Sequence, residues 1–190
     1  MSNQAKPNTL VPLPANLQTL YEREAFIIRR KWFSVAAVFL LFFGLIWNGF
    51  MVVWMTTALK NGAWAIAAFG SIHAGVGVFL AYFCAASFLN TTEIQVDPNY
   101  LRVEHSPVPW PGKKKIRVHT IQQLYSKKHV KHTKNGTNTS YRVFAVTDDN
   151  REHKLVTGLS EISQAHFIEH EIENVLGLED LPVSGEHPKT

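Results

Sequence analysis

Two long stretches of this 190-residue sequence lack Asp, Glu, Lys and Arg altogether: the first runs between Lys31 and Lys60, and the second between Lys60 and Glu93. Each stretch exceeds the roughly 20 apolar residues that an α-helix needs to cross a bilayer. Two such stretches joined by a short loop are unusual in the core of a soluble protein. We therefore expect transmembrane helices at residues 32–56 and 63–89, with a turn at residues 60–62.

Cysteine is nearly absent, since Cys84 is the only one and lies in the second apolar stretch. A single cysteine excludes an intrachain disulfide. We interpret Cys84 as a small apolar residue of the helix.

Basic residues are placed asymmetrically around the apolar stretches. Arg29, Arg30 and Lys31 precede the first stretch, Lys60 alone marks the loop, and thirteen Lys and Arg follow the second stretch. By the positive-inside rule, we predict a multi-pass protein of the cell inner (cytoplasmic) membrane with both termini in the cytoplasm. The remaining N-terminal and C-terminal segments are expected to be a flexible tail at residues 1–20, a juxtamembrane segment at residues 21–31 and a flexible tail at residues 179–190.

After Thr91 the apolar residues alternate with period two, which is typical of half-buried strands. Turn residues separate the segments: Asp97-Pro98-Asn99, Asn135-Gly136 and Asp148-Asp149-Asn150. Six strands are predicted, at residues 93–96, 100–104, 115–119, 124–132, 141–147 and 154–156. Residues 25–28 either add a seventh strand or begin the first helix early. The sequons that start at Asn90, Asn135 and Asn138 are interpreted as turn chemistry.

An amphipathic helix is predicted at residues 160–176, with Ser160 as its N-cap and Gly177 as its left-handed end. Its apolar residues recur at helical spacing, so they are expected to lie on the sheet. They are Ile162, Ala165, Ile168, Ile172, Val175 and Leu176.

This order of elements resembles the bacterial membrane proteins in which two transmembrane helices precede a bacterial pleckstrin-homology (PH)-like domain. The segments that carry the resemblance are IIRRKW before the first helix, NTTEIQV after the second, and PVPWPGKKKI and IQQLY inside the domain. It covers residues 21–178 and implies an α+β membrane protein. In that fold a transmembrane helical hairpin is followed by a cytoplasmic PH-like antiparallel β-barrel or sheet at residues 91–178, closed by the C-terminal helix. The resemblance implies an interaction module and supplies no catalytic residues.

Basic residues are concentrated in the first half of the β-rich region. Nine Lys or Arg and one acidic residue lie between Arg102 and Lys134, whereas residues 135–190 contain four basic and ten acidic residues. Beneath a bilayer, such a stripe is expected to meet anionic lipid headgroups or an acidic protein. The alternative is a solvated surface, and nucleic acid is disfavoured because aromatic residues are missing between the lysines. The candidate lipid- or partner-binding residues are Lys113, Lys114, Lys115, Arg117, Lys127, Lys128, Lys131, Lys134 and Trp110.

Asn48 and His73 are polar residues inside the apolar stretches. Counted from the predicted loop at ~1.5 Å per residue, both lie about 12 Å deep, so they can face each other across the hairpin. Because small residues along the second helix favour close packing, we expect a hydrogen bond between the two side chains. A heme or transport role for His73 is the alternative.

The segment His166-Phe167-Ile168-Glu169-His170 matches the H-x-x-E-H pattern of inverted zinc peptidases. With Glu173 one turn later, two histidines and a carboxylate would form the ligand set of a catalytic zinc ion. Only twenty residues follow His170, however, and such a peptidase needs a larger helical scaffold. The simpler interpretation is the solvent-facing side of a terminal helix.

Together these observations predict an integral membrane adaptor or accessory subunit rather than an enzyme, with no cofactor. The expected partners are membrane lipids and an unidentified protein, and the sequence is compatible with a homo-oligomer. The alternatives are a membrane-bound zinc hydrolase that uses the His166–His170 segment and a small heme or transport subunit that uses His73.

Overall fold

The computed structural model describes residues 13–133 and 136–178, which contain three α-helices and eight strands. The chain forms two compact units. We call them the helical unit, formed by residues 31–92 and 105–112, and the β unit, formed by the rest of the described chain.

The helical unit is built on two helices, α1 (Val35–Lys60) and α2 (Trp64–Leu89). Both are long and apolar enough to cross a bilayer. The hydroxyl of Ser34 caps α1 by accepting a hydrogen bond from the amide of Ala37 (3.4 Å). Helices are found where the two transmembrane helices were predicted, although α1 begins three residues later than predicted, at Val35, and continues four residues beyond the predicted end at Thr56. It stops where Gly62 adopts a left-handed φ of 65°.

Buried residues, most of them small, recur at a spacing of seven along the contact between α1 and α2. The buried residues of α1 are Ala37, Gly44, Met51 and Ala58, and those of α2 include Gly70, Gly77 and Cys84. A seven-residue repeat keeps the contact line of one helix on its partner over many turns. Small side chains along that line let the two backbones approach closely. Of the small residues along α2, Ala67, Gly70 and Gly77 are buried, whereas Ser71 and Ala81 are exposed, so only part of the predicted line lies in the packing seam.

The β unit contains two sheets. The five-stranded sheet has the order β1-β2-β3-β4-β5, and the three-stranded sheet has the order β6-β7-β8. The strands of the first sheet are β1 (Leu17–Glu22), β2 (Ala25–Lys31), β3 (Thr91–Val96), β4 (Tyr100–Ser106) and β5 (Lys114–Arg117). Those of the second are β6 (Ile121–Thr133), β7 (Gly136–Thr147) and β8 (Glu152–Leu159).

Strand β1 corrects the expectation of a flexible tail as far as residue 20. It pairs antiparallel with β2, from Leu17 opposite Arg30 to Glu22 opposite Ala25, and Leu17 is 4% exposed. The turn between the two strands consists of Arg23 and Glu24. Neither Gly nor Asn stands there, so the sequence lacks the usual hairpin signal. Residues 1–12 lie outside the described part of the chain.

The β unit is assembled from chain on both sides of the helices. Strands β2 and β3 are neighbours in the sheet, yet α1 and α2 lie between them in sequence. Residues 25–28 thus belong to a strand that enters the sheet from the N-terminal side. Residues 91–178 alone lack β1 and β2.

Helix α3 (Ile162–Leu176) packs on β6, β7 and β8, as predicted for its apolar face. Val175 is the exception, being 39% exposed. The helix begins after Glu161, which makes no side-chain capping bond, so the predicted Ser160 cap is wrong; Gly177 ends it with a φ of 65°, as predicted. The core of both sheets and α3 contains Leu17, Phe26, Ile28, Ile94, Val96, Leu101, Val103, Ile116, Ile121, Leu124, Val143, Ala145, Leu155, Val156, Leu159, Ala165, Phe167, Ile168 and Ile172.

Arg30 joins the two sheets through its side chain. Its guanidinium donates hydrogen bonds from β2 to the carbonyls of Thr157 (3.1 Å) and Gly158 (2.6 Å) in β8. Burial lowers the pKa of Arg30 from its ordinary value. The two carbonyl oxygens replace water around this charge and hold the end of β8 against β2.

Candidate functional site

The predicted basic residues lie in two places within the β unit. Lys114, Lys115 and Arg117 are on β5, the edge strand of the five-stranded sheet, and Lys113 precedes it. Lys115 already makes a contact within the protein, because its Nζ lies 4.1 Å from the centre of the Tyr100 ring. A cation over an aromatic face is stabilised by the ring quadrupole.

An acidic partner compensates part of the charge beside β5. Arg102, directly across from Lys115, forms an ion pair with Asp97 (3.1 Å). Burial favours a higher pKa for Asp97. Two other influences lower it by more: the amides of Tyr100 and Asn99 donate hydrogen bonds to the carboxylate, and the cations Arg102 and Lys115 lie nearby. The pKa of Asp97 is therefore below its ordinary value. Asp97 therefore stays ionised and screens the two cations from each other.

The second group lies where β6 and β7 extend as a two-stranded ribbon. We define residues 127–133 of β6 and 136–142 of β7 as the hairpin arm. It begins directly after Ser126, which is fully buried. Strand β8 pairs with β7 from Tyr141 to Val146, so most of the arm has no third strand. Lys134 and Asn135, both part of the predictions, lie outside the described residues.

One face of the hairpin arm carries cations from both strands. Because side chains alternate along a strand, Lys127, His129 and Lys131 point to the same face. In the register of the arm, Arg142 lies directly opposite Lys127. We call these four residues the cationic face.

The charges of the cationic face differ from those near Asp97 in having no ion-pair partner in the described part of the chain. Within the described residues, Lys127, Lys131 and Arg142 form no ion pair, and both lysines are exposed. Like charges placed directly opposite each other destabilise a strand pair. The cationic face is therefore an electrostatic cost to the isolated chain, in contrast to the cations near Asp97.

Arg142 is absent from the set predicted from the sequence. The prediction followed a continuous basic stripe that ended at Lys134, eight residues earlier. The register supplies the missing signal: Thr133 pairs with Gly136, and the pairing continues until residue 142 lies opposite residue 127. Counting outward from Asn135-Gly136 as the two turn residues would instead have placed residue 144 opposite residue 127, so the predicted turn alone does not find Arg142.

Trp110 belongs to the helical unit rather than to the unit that carries the lysines. Its ring contacts those of Trp32 (5.4 Å between centroids), Phe83 (5.8 Å) and Tyr82 (6.1 Å). The Tyr82 hydroxyl also donates to the carbonyl of Pro109. Trp110 is thus the centre of an aromatic cluster, which is a packing role.

Hydrogen bonds fix the proline-containing segment 105–112 in the same unit. Asn90, which is 2% exposed, donates from Nδ2 to the carbonyl of Val108 (2.9 Å) and accepts from its amide at Oδ1 (2.7 Å). The indole of Trp32 donates to the Thr92 hydroxyl (2.7 Å), which lies 3.0 Å from Nδ1 of His105. The Asn90 side chain thus joins the end of α2 to a segment 18 residues away and does not make the local turn contact that was predicted for it.

Asn48 and His73 do not form the predicted hydrogen bond with each other. Asn48 Nδ2 donates to the backbone carbonyls of Gly44 (2.7 Å) and of Gly77 on α2 (3.2 Å). Nδ1 of His73 lies 3.4 Å from the carbonyl of Phe69 on its own helix. The carbonyl of His73 accepts from the indole of Trp47 (3.2 Å). The hairpin is held by side-chain to backbone bonds.

The H-x-x-E-H motif is not on the solvent-facing side of α3. Glu169 is fully buried and Glu173 is 4% exposed, while His166 and His170 are half-buried. The hydroxyl of Ser126 on β6 donates to the Glu169 carboxylate. Among residues 13–133 and 136–178, no group of three His, Cys, Asp or Glu side chains is arranged to hold a metal ion. The geometry therefore gives no support to the zinc-hydrolase alternative.

In comparisons with known proteins, the chain matches no family model and no curated protein. The candidate site thus stands on geometry and charge, and the cationic face of the hairpin arm is its best-defined part.

Proposed function

We propose that the chain is an integral membrane adaptor or accessory subunit whose β unit binds an anionic partner, either a protein or lipid headgroups. In this proposal the two helices cross the cell inner membrane and both termini are cytoplasmic. The single observation that carries it is the cationic face, where Lys127, Lys131 and Arg142 lie together with no acidic partner among the described residues.

Several features of the chain support a membrane location. Both helices have spanning length, and Lys60, the last residue of α1, is the only Lys or Arg in the two helices and the turn that connects them. Arg29, Arg30 and Lys31 stand before α1, where the positive-inside rule places cytoplasmic residues. The PH-like resemblance fits an interaction module, and the antiparallel sheets with a C-terminal helix are the elements that such a barrel would use.

Topology is tested with single-cysteine variants in a Cys84→Ala background. Asn61→Cys reports on the turn between the helices, and Asn138→Cys reports on the hairpin arm. In spheroplasts, a membrane-impermeant maleimide is expected to label position 61 at once and position 138 only after permeabilisation. The opposite pattern, or release of the chain from membranes at alkaline pH, would overturn the proposed location.

The binding role is tested by purifying the full chain from native membranes and measuring both the proteins and the lipids that accompany it. We compare the wild type with a Lys127→Gln/Lys131→Gln/Arg142→Gln variant. The control variant Lys60→Gln/Arg151→Gln/Lys154→Gln removes the same charge elsewhere. A protein or anionic lipid should be depleted in the first variant alone and released by high salt. Identical co-purification in all three would contradict the proposal.

A further inference from the structure

The hairpin arm is an unusual element because little of the protein supports it. Its two strands pair only with each other over most of their length. An isolated two-stranded ribbon is marginally stable in water, since it has no core of its own. The arm nevertheless keeps a continuous register from Lys127 opposite Arg142 to Thr133 opposite Gly136.

The amino-acid composition of the arm lowers its stability further. Between Lys127 and Arg142 the sequence contains five Lys or Arg, two His and no acidic residue. On the cationic face, successive side chains stand about 7 Å apart along the strand, and opposite ones about 5 Å apart. Lys127, Lys131 and Arg142 are therefore spread along one side of the ribbon and do not form a pocket for one small ion.

The opposite face of the arm has another character. Lys128 and His132 flank Val130, which is 39% exposed, and Thr139 lies directly opposite Val130. Only one Lys or Arg of the described arm is on this face. The concentration of charge on one side provides an internal comparison for any experiment.

We propose that the cationic face of the hairpin arm binds the phosphate-containing anionic headgroups of a lipid bilayer. This inference rests on the proposed membrane anchoring. Only residues 32–34 separate β2 from α1, and only Asn90 separates α2 from β3. With such short links the headgroups are present at high effective concentration, so modest individual affinities suffice.

Side-chain chemistry favours the same ligand. A bilayer surface offers many phosphates side by side. Cations spread along a ribbon can contact several of them at once, whereas a single carboxylate can contact only one or two of the cations. Arg142 can bind a phosphate through two parallel N–H donors, and lysines act as mobile point charges around it. An acidic protein or a nucleic acid, whose major groove admits a β-ribbon, is the competing partner that the experiment must distinguish.

The test uses the full chain in lipid nanodiscs, with an environment-sensitive fluorophore on Asn138→Cys in the Cys84→Ala background. Asn138 lies opposite Lys131, at the edge of the cationic face. Discs contain phosphatidylcholine alone or with about one third phosphatidylglycerol, a proportion chosen to give the negative surface potential typical of cytoplasmic leaflets. Headgroup-nitroxide lipids quench a fluorophore that touches the surface, and added vesicles of either composition detect contact with a second bilayer.

We expect quenching to rise several-fold with phosphatidylglycerol, in the disc or in added vesicles, and to disappear in 1 M salt. The Lys127→Gln/Lys131→Gln/Arg142→Gln variant should lose this response. A Lys113→Gln/Lys114→Gln/Lys128→Gln variant, with the same charge change outside the cationic face, should keep most of it. Should the triple variant fold poorly, Arg142→Gln alone is expected to lower the response at least twofold.

Equal quenching with both lipids, or equal loss in both triple variants, overturns the inference. So does stronger displacement by polyglutamate or by a DNA duplex than by phosphatidylglycerol vesicles, since it identifies another partner. If the nanodisc test fails while positions 61 and 138 are labelled as expected, only the lipid-binding inference is rejected. A failed topology experiment rejects the proposed function itself.

Discussion

The side chain of Asn48 on α1 donates a hydrogen bond to the backbone carbonyl of Gly77 on α2, at 3.2 Å. This contact exists because Gly77 has no side chain. A Cβ built at Gly77 would lie 2.5 Å from Oδ1 of Asn48 and 3.1 Å from the Trp47 ring. The glycine thus permits the close approach of the two helices at the point where they are bonded.

We expect Gly77→Ala to destabilise the helical hairpin by about 1–3 kcal/mol, the usual cost of overpacking. Gly75→Ala is the matched control, because a Cβ at Gly75 meets no atom within 4 Å. Thermal unfolding of the detergent-solubilised chain, followed by tryptophan fluorescence, should separate the two variants. Equal melting temperatures would show that the seam does not depend on Gly77.

Of the two asparagines that directly follow α1 and α2, Asn90 is expected to contribute more to stability than Asn61. Asn90→Ala removes two buried hydrogen bonds and leaves the amide and carbonyl of Val108 without that partner, which should cost about 2–3 kcal/mol. The loss should also make segment 105–112 easier to digest, with tryptic cleavage at Lys113 as the readout.

Asn61→Ala is the control for this prediction. Asn61 also follows a helix and donates to a backbone carbonyl, that of Thr57 (3.0 Å), but its side chain is exposed. We expect a change below about 0.5 kcal/mol, as for most surface substitutions. If the two variants behave alike, the Asn90 bonds are not what fixes the segment.

Ser126 and Glu169 form the buried polar contact between β6 and α3. Ser126→Ala removes a donor to a carboxylate that is fully buried, so we expect a loss of about 1.5–3 kcal/mol in the free energy of unfolding. Ser163→Ala is the control, since that hydroxyl bonds the exposed Glu161 at 3.1 Å. Chemical denaturation measures both, and a smaller effect at Ser126 than at Ser163 would contradict the assignment.

There are physical reasons why some features of the fold were predictable from the sequence and others were not. The two long helices followed from uninterrupted apolar composition, which is a strong local signal. The equal depth predicted for Asn48 and His73 was counted from a helix end at Thr56, but α1 continues to Lys60. Asn48 therefore lies beside Gly77, about one turn along α2 from His73, and the two side chains do not meet.

Other misses arose where tertiary packing overrides local character. Strand β1 was hidden because its turn, Arg23-Glu24, has no typical turn residue. Glu169 was placed on the surface because helical periodicity treats any glutamate as polar, whereas the hydrogen bond that it accepts from Ser126 comes from another strand, which periodicity cannot show. A hairpin was predicted from strands at residues 124–132 and 141–147, but β7 begins five residues earlier, at Gly136, and the partner of Lys127 required the exact register.

Asp97 makes stability depend on pH. Its pKa in the folded chain lies below the ordinary value, which is near 4. The group therefore stabilises the fold at pH values above about 4, and this contribution is lost as the pH falls through the folded-state pKa. Asp97→Asn should lower the melting temperature at pH 7, and its difference from the wild type should narrow steadily as the pH is lowered from 4.

Asp148→Asn is the control, because Asp148 is an exposed turn carboxylate for which the structure gives no side-chain bond or ion pair. Its melting temperature should follow that of the wild type across the same pH series. A constant difference between Asp97→Asn and the wild type from pH 7 to pH 3 would show that ionisation of Asp97 does not stabilise the fold.

The β unit should fold only when chain from both sides of the helices is present. A fragment of residues 91–178 lacks β1 and β2, and with them Leu17, Phe26 and Ile28 of the core. It also exposes β3 as an unpaired edge, which favours aggregation. We expect this fragment to be insoluble or unfolded by circular dichroism and by amide hydrogen exchange.

A chimera provides the decisive comparison. Because β2 and β3 are adjacent in the sheet, a loop of about five Gly and Ser residues can join residue 31 to residue 91 in place of the helices. This chimera of residues 13–31 and 91–178 should be soluble and unfold cooperatively, with a lower melting temperature when Arg30→Lys removes the two-pronged bond to Thr157 and Gly158. If residues 91–178 fold equally well alone, β1 and β2 are dispensable, and the sheet order found here does not govern stability.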